Sequence, residues 1–266
     1  MPGRRLSSTL AVVVEELELD QPTVVTAALL REIAHRHGLG TPPKVIAARL
    51  REAGWLLPIG KRGVWEFAPG SHAGAIGHGD PTTPLLAALA ARPDLPAALA
   101  LGSAAWALGF ADRVPSTLDI AVPTGTRVGQ DLRRIAAVSR FTTHVGHATA
   151  KGVPCHRAEQ VVVHLAADPA APRSWGAVLE WLPDLAADAD RAVLLDELEG
   201  RPRAVAVRVG YLLSGLRADL AAPLASLATD LTRFGRRGDP PLRYAAAWRV
   251  QDALLPSDPT TWEPVR

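Results

Sequence analysis

The sequence of 266 residues is poor in aromatic side chains, which make up 5% of it, and it contains a single cysteine, Cys155. One cysteine cannot form a disulfide within the chain, so the small disulfide-stapled folds are excluded. No run of about 18 apolar residues is present, so we expect no membrane-spanning helix. The basic residues Arg4 and Arg5 precede an apolar stretch that Glu15 and Glu16 interrupt, which does not fit a signal peptide. We therefore expect a cytoplasmic protein.

A strong charge of either sign is also missing. The chain has 29 Lys and Arg against 27 Asp and Glu, a formal net charge of +2. Whole-chain charge therefore does not indicate a nucleic-acid partner, and any such role depends on where the basic residues lie. Apolar residues make up 48% and charged residues 21%, as in ordinary globular proteins. The apolar share comes largely from Ala, Leu and Val, which favours a helix-rich fold.

The clearest domain boundary is a stretch rich in Gly and Pro. Residues 68–84 read APGSHAGAIGHGDPTTP and contain almost no large apolar side chains. That composition is typical of a linker. We place the linker at 71–84, between an N-terminal domain of residues 1–70 and a C-terminal domain of residues 85–266.

The N-terminal domain has a characteristic order of elements. Apolar periodicity predicts helices over 7–17, 26–37 and 42–53. A short turn that begins at Gly38 separates the last two, and Thr41 is predicted to cap the third.

Two short β-type runs, 55–59 and 64–67, follow the third helix and flank a loop that contains Lys61 and Arg62. Such a pattern predicts a hairpin. Helix, helix, tight turn, helix and hairpin form the order of a winged helix-turn-helix, a double-stranded DNA-binding fold. The helix at 42–53 takes the position of the reader helix, which enters the major groove, and the hairpin takes that of the wing.

Basic residues are concentrated on these two elements. On a helical projection of 42–53, Ile46 and Leu50 share the face that packs inwards, and basic side chains share the opposite face. Residues 1–75 contain 9 basic and 7 acidic residues, but the predicted reader helix and wing tip carry five cations against one acid, Glu52. The predicted DNA-binding residues are Arg36, Thr41, Lys44, Ala48, Arg49, Arg51, Lys61 and Arg62. The alternatives are that these cations only solvate an exposed face, or that the winged helix binds protein.

The C-terminal domain alternates short helices and strands and then becomes mainly helical. Helices are predicted over 85–91, 103–109, 130–138, 157–166, 174–186, 190–199 and 202–213. Strands are predicted over 117–122, 141–145 and 148–153, with a further strand near 244–250. The fold class is therefore α+β, an N-terminal winged helix-turn-helix followed by a larger mixed α/β, helix-rich domain.

One segment of this domain has a pattern related to enzyme chemistry. Nucleotidyltransferases place Gly-Ser at a strand–helix junction and then a strand with Asp-x-Asp, whose carboxylates hold metal ions. Gly102, Ser103 and Asp119 fit this pattern, but Ala121 stands where the second carboxylate is needed. We therefore predict no catalytic residues. A degenerate or active nucleotidyltransferase-like enzyme remains the alternative.

Metal and cofactor motifs are not found in the sequence. The histidines His144, His147, His156 and His164 have no spacing typical of zinc sites, and no Walker, G-x-G-x-x-G or G-x-S-x-G motif is present. We predict neither a metal site nor a cofactor.

Several segments together resemble the AbiEi family, the antitoxins of bacterial type IV toxin–antitoxin systems. These segments are EAGWL at 52–56, VWEF at 64–67, LGSAAWALG at 101–109, LDIAVP at 118–123 and RVGYLL at 208–213. The resemblance covers about residues 25–215, and the order and spacing of the segments carry it.

The resemblance implies an antitoxin that represses its own operon by binding inverted repeats in the promoter, as a possible dimer on DNA. The partners it implies are double-stranded promoter DNA and, functionally, an AbiEii-type nucleotidyltransferase toxin. A protein that binds the toxin directly is a further alternative.

Overall fold

The structure is a computed structural model that describes residues 7–72, 74–77 and 79–264. Its first elements follow the predicted order, with one addition. They are α1 (Ser8–Asp20), β1 (Val24–Thr26), α2 (Ala27–Arg36), α3 (Pro43–Glu52), β2 (Leu56–Pro58) and β3 (Val64–Phe67). β3 lies between β1 and β2 and pairs antiparallel with both. This arrangement is compatible with the predicted winged helix-turn-helix. The strand β1 was not predicted.

The three N-terminal helices bury the faces that their apolar periodicity indicates. Leu30 and Ile33 of α2 and Ile46 and Leu50 of α3 are at most 1% exposed and belong to one hydrophobic cluster. Burying a side chain of this size contributes roughly 1.5–3 kcal/mol. The cluster therefore holds α3 against α2 and fixes which face of α3 remains at the surface.

The remaining helices and strands alternate and confirm the α+β class. In chain order they are α4 (Thr83–Ala91), β4 (Ala98–Leu99), α5 (Leu101–Leu108), β5 (Leu118–Val122), α6 (Gln130–Ile135), β6 (Ala136–Arg140), β7 (Ala148–Ala150), β8 (Val153–Cys155), α7 (Ala158–Ala167), α8 (Trp175–Leu179), α9 (Leu182–Ala187), α10 (Arg191–Leu198), α11 (Arg203–Leu213), α12 (Ala218–Ala225), β9 (Thr232–Phe234), β10 (Arg243–Ala245) and β11 (Val250–Asp252).

These strands form two sheets. Five strands are ordered β6-β5-β4-β8-β7, with β5 parallel to β6, β4 parallel to β8, and the other pairs antiparallel. A smaller sheet has the order β10-β11-β9. The predicted helix at 130–138 is wrong in its last three residues, because residues 136–140 pair with β5 along its whole length.

Other C-terminal boundaries also differ from the predictions. The predicted strand at 141–145 is absent, and the antiparallel pair is instead formed by β7 and β8. The predicted helix at 174–186 is two helices, because α9 starts anew with Pro183 in its first turn. The helices predicted at 157–166, 190–199 and 202–213 are confirmed to within two residues at each end.

Residue contacts divide the chain into two compact units. One contains the residues up to Leu95 together with Val128–Ile135, and the other contains Pro96–Arg127 and everything from Ala136 onwards. Thus α4, which the sequence assigned to the C-terminal domain, packs on β1 and β3 of the N-terminal unit. Part of the predicted linker packs there too, since a Cβ at Gly77 would overlap the Glu66 carboxylate. The boundaries at 71–84 themselves remain a prediction.

Candidate nucleic-acid interface

The predicted reader helix α3 follows α2 after a turn with a left-handed glycine. Gly38, with φ of +62°, follows the end of α2, and Gly54, with φ of +74°, follows the end of α3. The predicted Thr41 cap is wrong, because the residue at the N-cap position is Pro42 and no side chain caps the helix. Two consecutive prolines explain the shift: Pro43 lacks an N–H and takes the first helical position, where none is needed.

The predicted DNA-facing side of α3 lies at the surface. Lys44, Ala48, Arg49 and Arg51 are exposed, whereas Ile46 and Leu50 on the opposite side are buried. Within the described ranges, no ion pair is formed by Lys44, Arg49 or Arg51. The short side chain of Ala48 lies between these cations. The face can therefore approach a polyanion closely without first breaking ion pairs.

The predicted wing is the β2–β3 hairpin. Its strands pair with Leu56 opposite Phe67 and Pro58 opposite Trp65. Gly60 and Gly63 bound the tip, with φ of +73° and +77°, values that glycine adopts without a steric penalty.

The two basic residues of this tip have different surroundings. Arg62 is exposed, while Lys61 is half-buried and already has an interaction partner. Arg62 is therefore the tip cation that is freer to meet a phosphate.

Arg36 differs from the other predicted contacts because it is already paired. Its guanidinium donates to Glu16 at 2.7 Å and to Glu32 at 3.0 Å. Glu16 also lies 2.5 Å from the ring of His37, and this bond together with Arg36 lowers the pKa of the Glu16 carboxyl. These contacts join α1 to the end of α2. The further basic residues considered from sequence, Arg4 and Arg5, lie outside the described residues.

The second candidate site, around Asp119, departs from nucleotidyltransferase geometry. Ser103 is fully buried, and its Oγ accepts a hydrogen bond from the Asp119 backbone N–H at 2.7 Å. Ala121 is also buried, at 2% exposure. The serine therefore holds the β5 strand to α5 rather than facing a ligand, and the missing second carboxylate has no replacement beside it on the strand.

Asp119 itself faces a cavity of about 780 Å³ within the C-terminal unit. Burial raises the pKa of its carboxyl to about 6, while Arg173 and the backbone of Ser103 act in the opposite direction. The Arg173 guanidinium is 3.9 Å from the carboxylate. Sequence analysis missed Arg173, because it lies 54 positions away and no local pattern marks it.

Two other kinds of site have no candidate among the described residues. No group of three or more His, Cys, Asp or Glu able to hold a metal ion occurs among the residues that the structure describes. The same residues contain no helix long and apolar enough to cross a membrane.

The chain is similar to a solved structure over nearly its whole length, and part of it matches a family model. The chain superimposes on the crystal structure of the RV2827C protein from Mycobacterium tuberculosis with a TM-score of 0.73, at 28% identity, over 95% of this chain and 94% of that one. No curated protein matched the chain. Residues 97–215 match the family model of the AbiEi antitoxin C-terminal domain. These residues include α5, β5 and α11, so they cover the segments 101–109, 118–123 and 208–213 from which the resemblance was drawn. Residues 97–215 are thus similar to the AbiEi antitoxin C-terminal domain.

Proposed function

We propose that this chain is a transcriptional autorepressor as well as an antitoxin, and that it binds inverted repeats in its own promoter. In this proposal α3 enters the major groove and the β2–β3 hairpin contacts the neighbouring backbone. Two copies would bind one operator, because an inverted repeat has the two-fold symmetry of a pair of proteins. The protein would act in the cytoplasm, where the promoter is accessible.

The observation that carries this proposal is the division of α3 into two faces. One face is fixed by the buried Ile46 and Leu50, and the other presents Lys44, Arg49 and Arg51 without ion pairs within the described ranges. Arginine can pair with the O6 and N7 atoms of guanine or with phosphate, and lysine can do so as a point charge. Arg62 supports the proposal from the predicted wing, and Thr41 lies beside the start of the helix. The ion pairs of Arg36 make it a weaker contact than the others.

Binding to the DNA upstream of the gene tests the proposal directly. Fluorescence anisotropy with a labelled promoter duplex and a shuffled duplex, over 50–300 mM salt, separates specific from non-specific binding. We expect the promoter to bind about 10³-fold more tightly or better, with an affinity that falls steeply as salt rises. Equal affinity for both duplexes would refute the assignment of a sequence-specific repressor.

A charge-matched pair of triple variants tests the surface. K44A/R49A/R51A should abolish the promoter preference, since each specific arginine contact is worth about 1–3 kcal/mol. R191A/R236A/R237A removes the same charge from exposed positions of the C-terminal unit and should leave the preference intact. If both triple variants weakened binding equally, net charge rather than α3 would explain the affinity.

We also propose that the toxin paired with this antitoxin is an AbiEii-type nucleotidyltransferase, and that this chain is not itself such an enzyme. The support for the second part is the single carboxylate of Asp119 and the buried Ser103. Co-expression with the toxin encoded beside the gene should restore growth, and the K44A/R49A/R51A variant should still restore it. Nucleotide transfer to RNA by the purified protein, lost in D119A, would overturn the non-enzyme proposal.

A further inference from the structure

The cavity at Asp119 lies where the chain passes from β4 into α5, and it is unexplained by DNA binding. Its volume is about 780 Å³, which is larger than a nucleoside requires. Leu101, at its wall, has φ of +48°, a conformation that is strained for a residue with a side chain. Strained backbone of this kind is concentrated at ligand sites, and here it brings the start of α5 beside the carboxylate.

Two side chains give the cavity a polar end. Asp119 Oδ1 is 3.9 Å from the nearest Arg173 nitrogen, so the two attract each other but do not form a hydrogen bond. A Cβ at Gly102 would stand 3.4 Å from Asp119 Oδ2, so a glycine there leaves the carboxylate accessible from one side. An acceptor and a donor thus stand side by side, each able to bond to a further group.

A nucleobase edge is complementary to such a pair. Guanine, adenine, cytosine and uracil each present an N–H donor next to a ring nitrogen or carbonyl acceptor, which suits a carboxylate beside a guanidinium. Proteins that hold an unstacked base also read this edge by hydrogen bonds and cover the ring with apolar or aromatic side chains. Phe110 and Trp181 line the same cavity and can cover a flat ring.

The charges around the cavity limit what else the ligand carries. Besides Asp119 and Arg173, its ionisable lining residues are Asp112, Arg113, Glu180 and Asp184. The four acids exceed the two arginines, so a triphosphate would meet net repulsion. An uncharged nucleoside avoids that cost, and a short single strand, with one charge for each phosphodiester, meets less of it than a triphosphate does.

We propose that this cavity is a nucleobase-binding site, in which Asp119 accepts from an N–H of the base and Arg173 donates to its neighbouring acceptor. Phe110 and Trp181 flank the ring. The site is separate from the DNA-binding face, since every residue that lines it belongs to the C-terminal unit.

The protonation of Asp119 gives the site a predictable pH dependence. An ionised carboxylate accepts the base N–H, and a protonated one does not do so equally well. With a carboxyl pKa of about 6, affinity should fall about twofold at pH 6 and about tenfold at pH 5, relative to pH 7.5. Binding below pH 7 should release protons.

Calorimetric titration of the full chain with free nucleosides tests the proposal at pH 7.5. The probes are guanosine, adenosine, cytidine, uridine and N3-methyluridine, which retains the ring and both carbonyls of uridine but lacks the base N–H. We expect at least one nucleoside to bind, and N3-methyluridine to bind at least tenfold more weakly than uridine, because a site built around a hydrogen bond rejects a ligand that lacks it. No binding by any nucleoside, or measurable binding of uridine that N3-methyluridine equals, would overturn it.

Variants locate the site and separate it from the DNA-binding proposal. D119A and R173A should each reduce nucleoside affinity at least tenfold, while R191A, an exposed arginine on α10 away from the cavity, should not. A trinucleotide identifies the source of the base: affinity well above that of the free nucleoside indicates a base within a strand, and equal affinity indicates a free nucleoside. Unchanged affinity in D119A would refute the site. Where a variant fails to fold, the comparison of uridine with N3-methyluridine on the wild-type protein tests the proposal instead.

Discussion

Acidification from pH 7.5 to 5 is expected to destabilise the C-terminal unit, because two histidines are buried in it. His156 and His164 are at most 1% exposed, and none of their four ring nitrogens has a hydrogen-bond partner among the residues that the structure describes. Their ring centroids are 5.6 Å apart, and that of His164 lies 4.3 Å from Phe141, nearly parallel to it. Both imidazoles are therefore held in their neutral form.

The size of the effect follows from the pKa of His164. Burial lowers this pKa to about 3 from a usual 6.5, and the cation of Arg201 adds to the shift. The unfolded chain takes up a proton below pH 6.5 and the folded chain does not, so stability is complete above pH 6.5 and is lost as pH falls towards 3. At pH 5 the loss from His164 is about 2 kcal/mol. The pKa of His156 is also lowered, by burial first and by neighbouring His164, His147 and Arg201, so its contribution has the same sign.

The assay is hydrogen exchange of the α7 backbone, which reports on the C-terminal unit alone. The perturbation is H164F, because phenylalanine keeps the stacking on Phe141 and cannot be protonated. We expect the wild type to lose protection between pH 7.5 and 5 after correction for the intrinsic rate, and H164F to lose about 2 kcal/mol less.

Substitution of an exposed histidine serves as the control. H35Q alters the exposed His35 of α2 and tests whether removing any histidine is sufficient to produce the effect. Equal losses in H164F and the wild type would refute the assignment of acid sensitivity to this buried ring.

Three further predictions concern single positions. Thr26 caps α2 by accepting from the Leu29 N–H at 3.0 Å, so T26A should lower the free energy of unfolding by about 1 kcal/mol in urea titrations and T26S should restore most of it. A Cβ at Gly210 would overlap the Trp248 ring, so G210A should cost about 1–3 kcal/mol by overpacking, and an unchanged melting temperature would contradict the packing. R62A should weaken promoter and shuffled DNA about equally and reduce the salt slope by about one, whereas loss of promoter preference alone would assign Arg62 to base recognition.

Local signals in the sequence were sufficient to predict the order of most N-terminal elements. The glycines at 38, 54, 60 and 63 all have positive φ, which is not the backbone conformation of a helix or a strand. Each of them therefore marks a turn at which the neighbouring element ends. Apolar spacing identified the buried face of α3, because a helix presents every third or fourth residue on one side. The helix predicted over 26–37 begins where β1 ends, so β1 was not predicted, although its segment, TVVT at 23–26, is rich in β-branched residues.

Long-range contacts determine the parts that were not predicted. The Ala-Ala-Val segment that begins β6 has no strong strand preference, and it is extended because five consecutive residues pair in parallel with β5. The stacking of Phe141 on His164 was not predicted, because the two residues are 23 positions apart in the chain. In each case the partner lies well outside the window from which a helix or strand is predicted.

The small net charge of the chain is compatible with a basic face on α3, because two of the acids are engaged in contacts of α1. On α1, Glu16 is paired with Arg36 and His37, and Glu18 accepts a hydrogen bond from the Gly70 backbone at 2.5 Å. These two carboxylates form contacts that join α1 to its neighbours, and neither is paired with a cation of α3. Since the screening length at physiological salt is about 8 Å, a phosphate at the surface of α3 responds to the charges nearest to it rather than to the total of +2. The distribution of charge over individual faces, and not its sum, is therefore the quantity that bears on the proposed DNA binding.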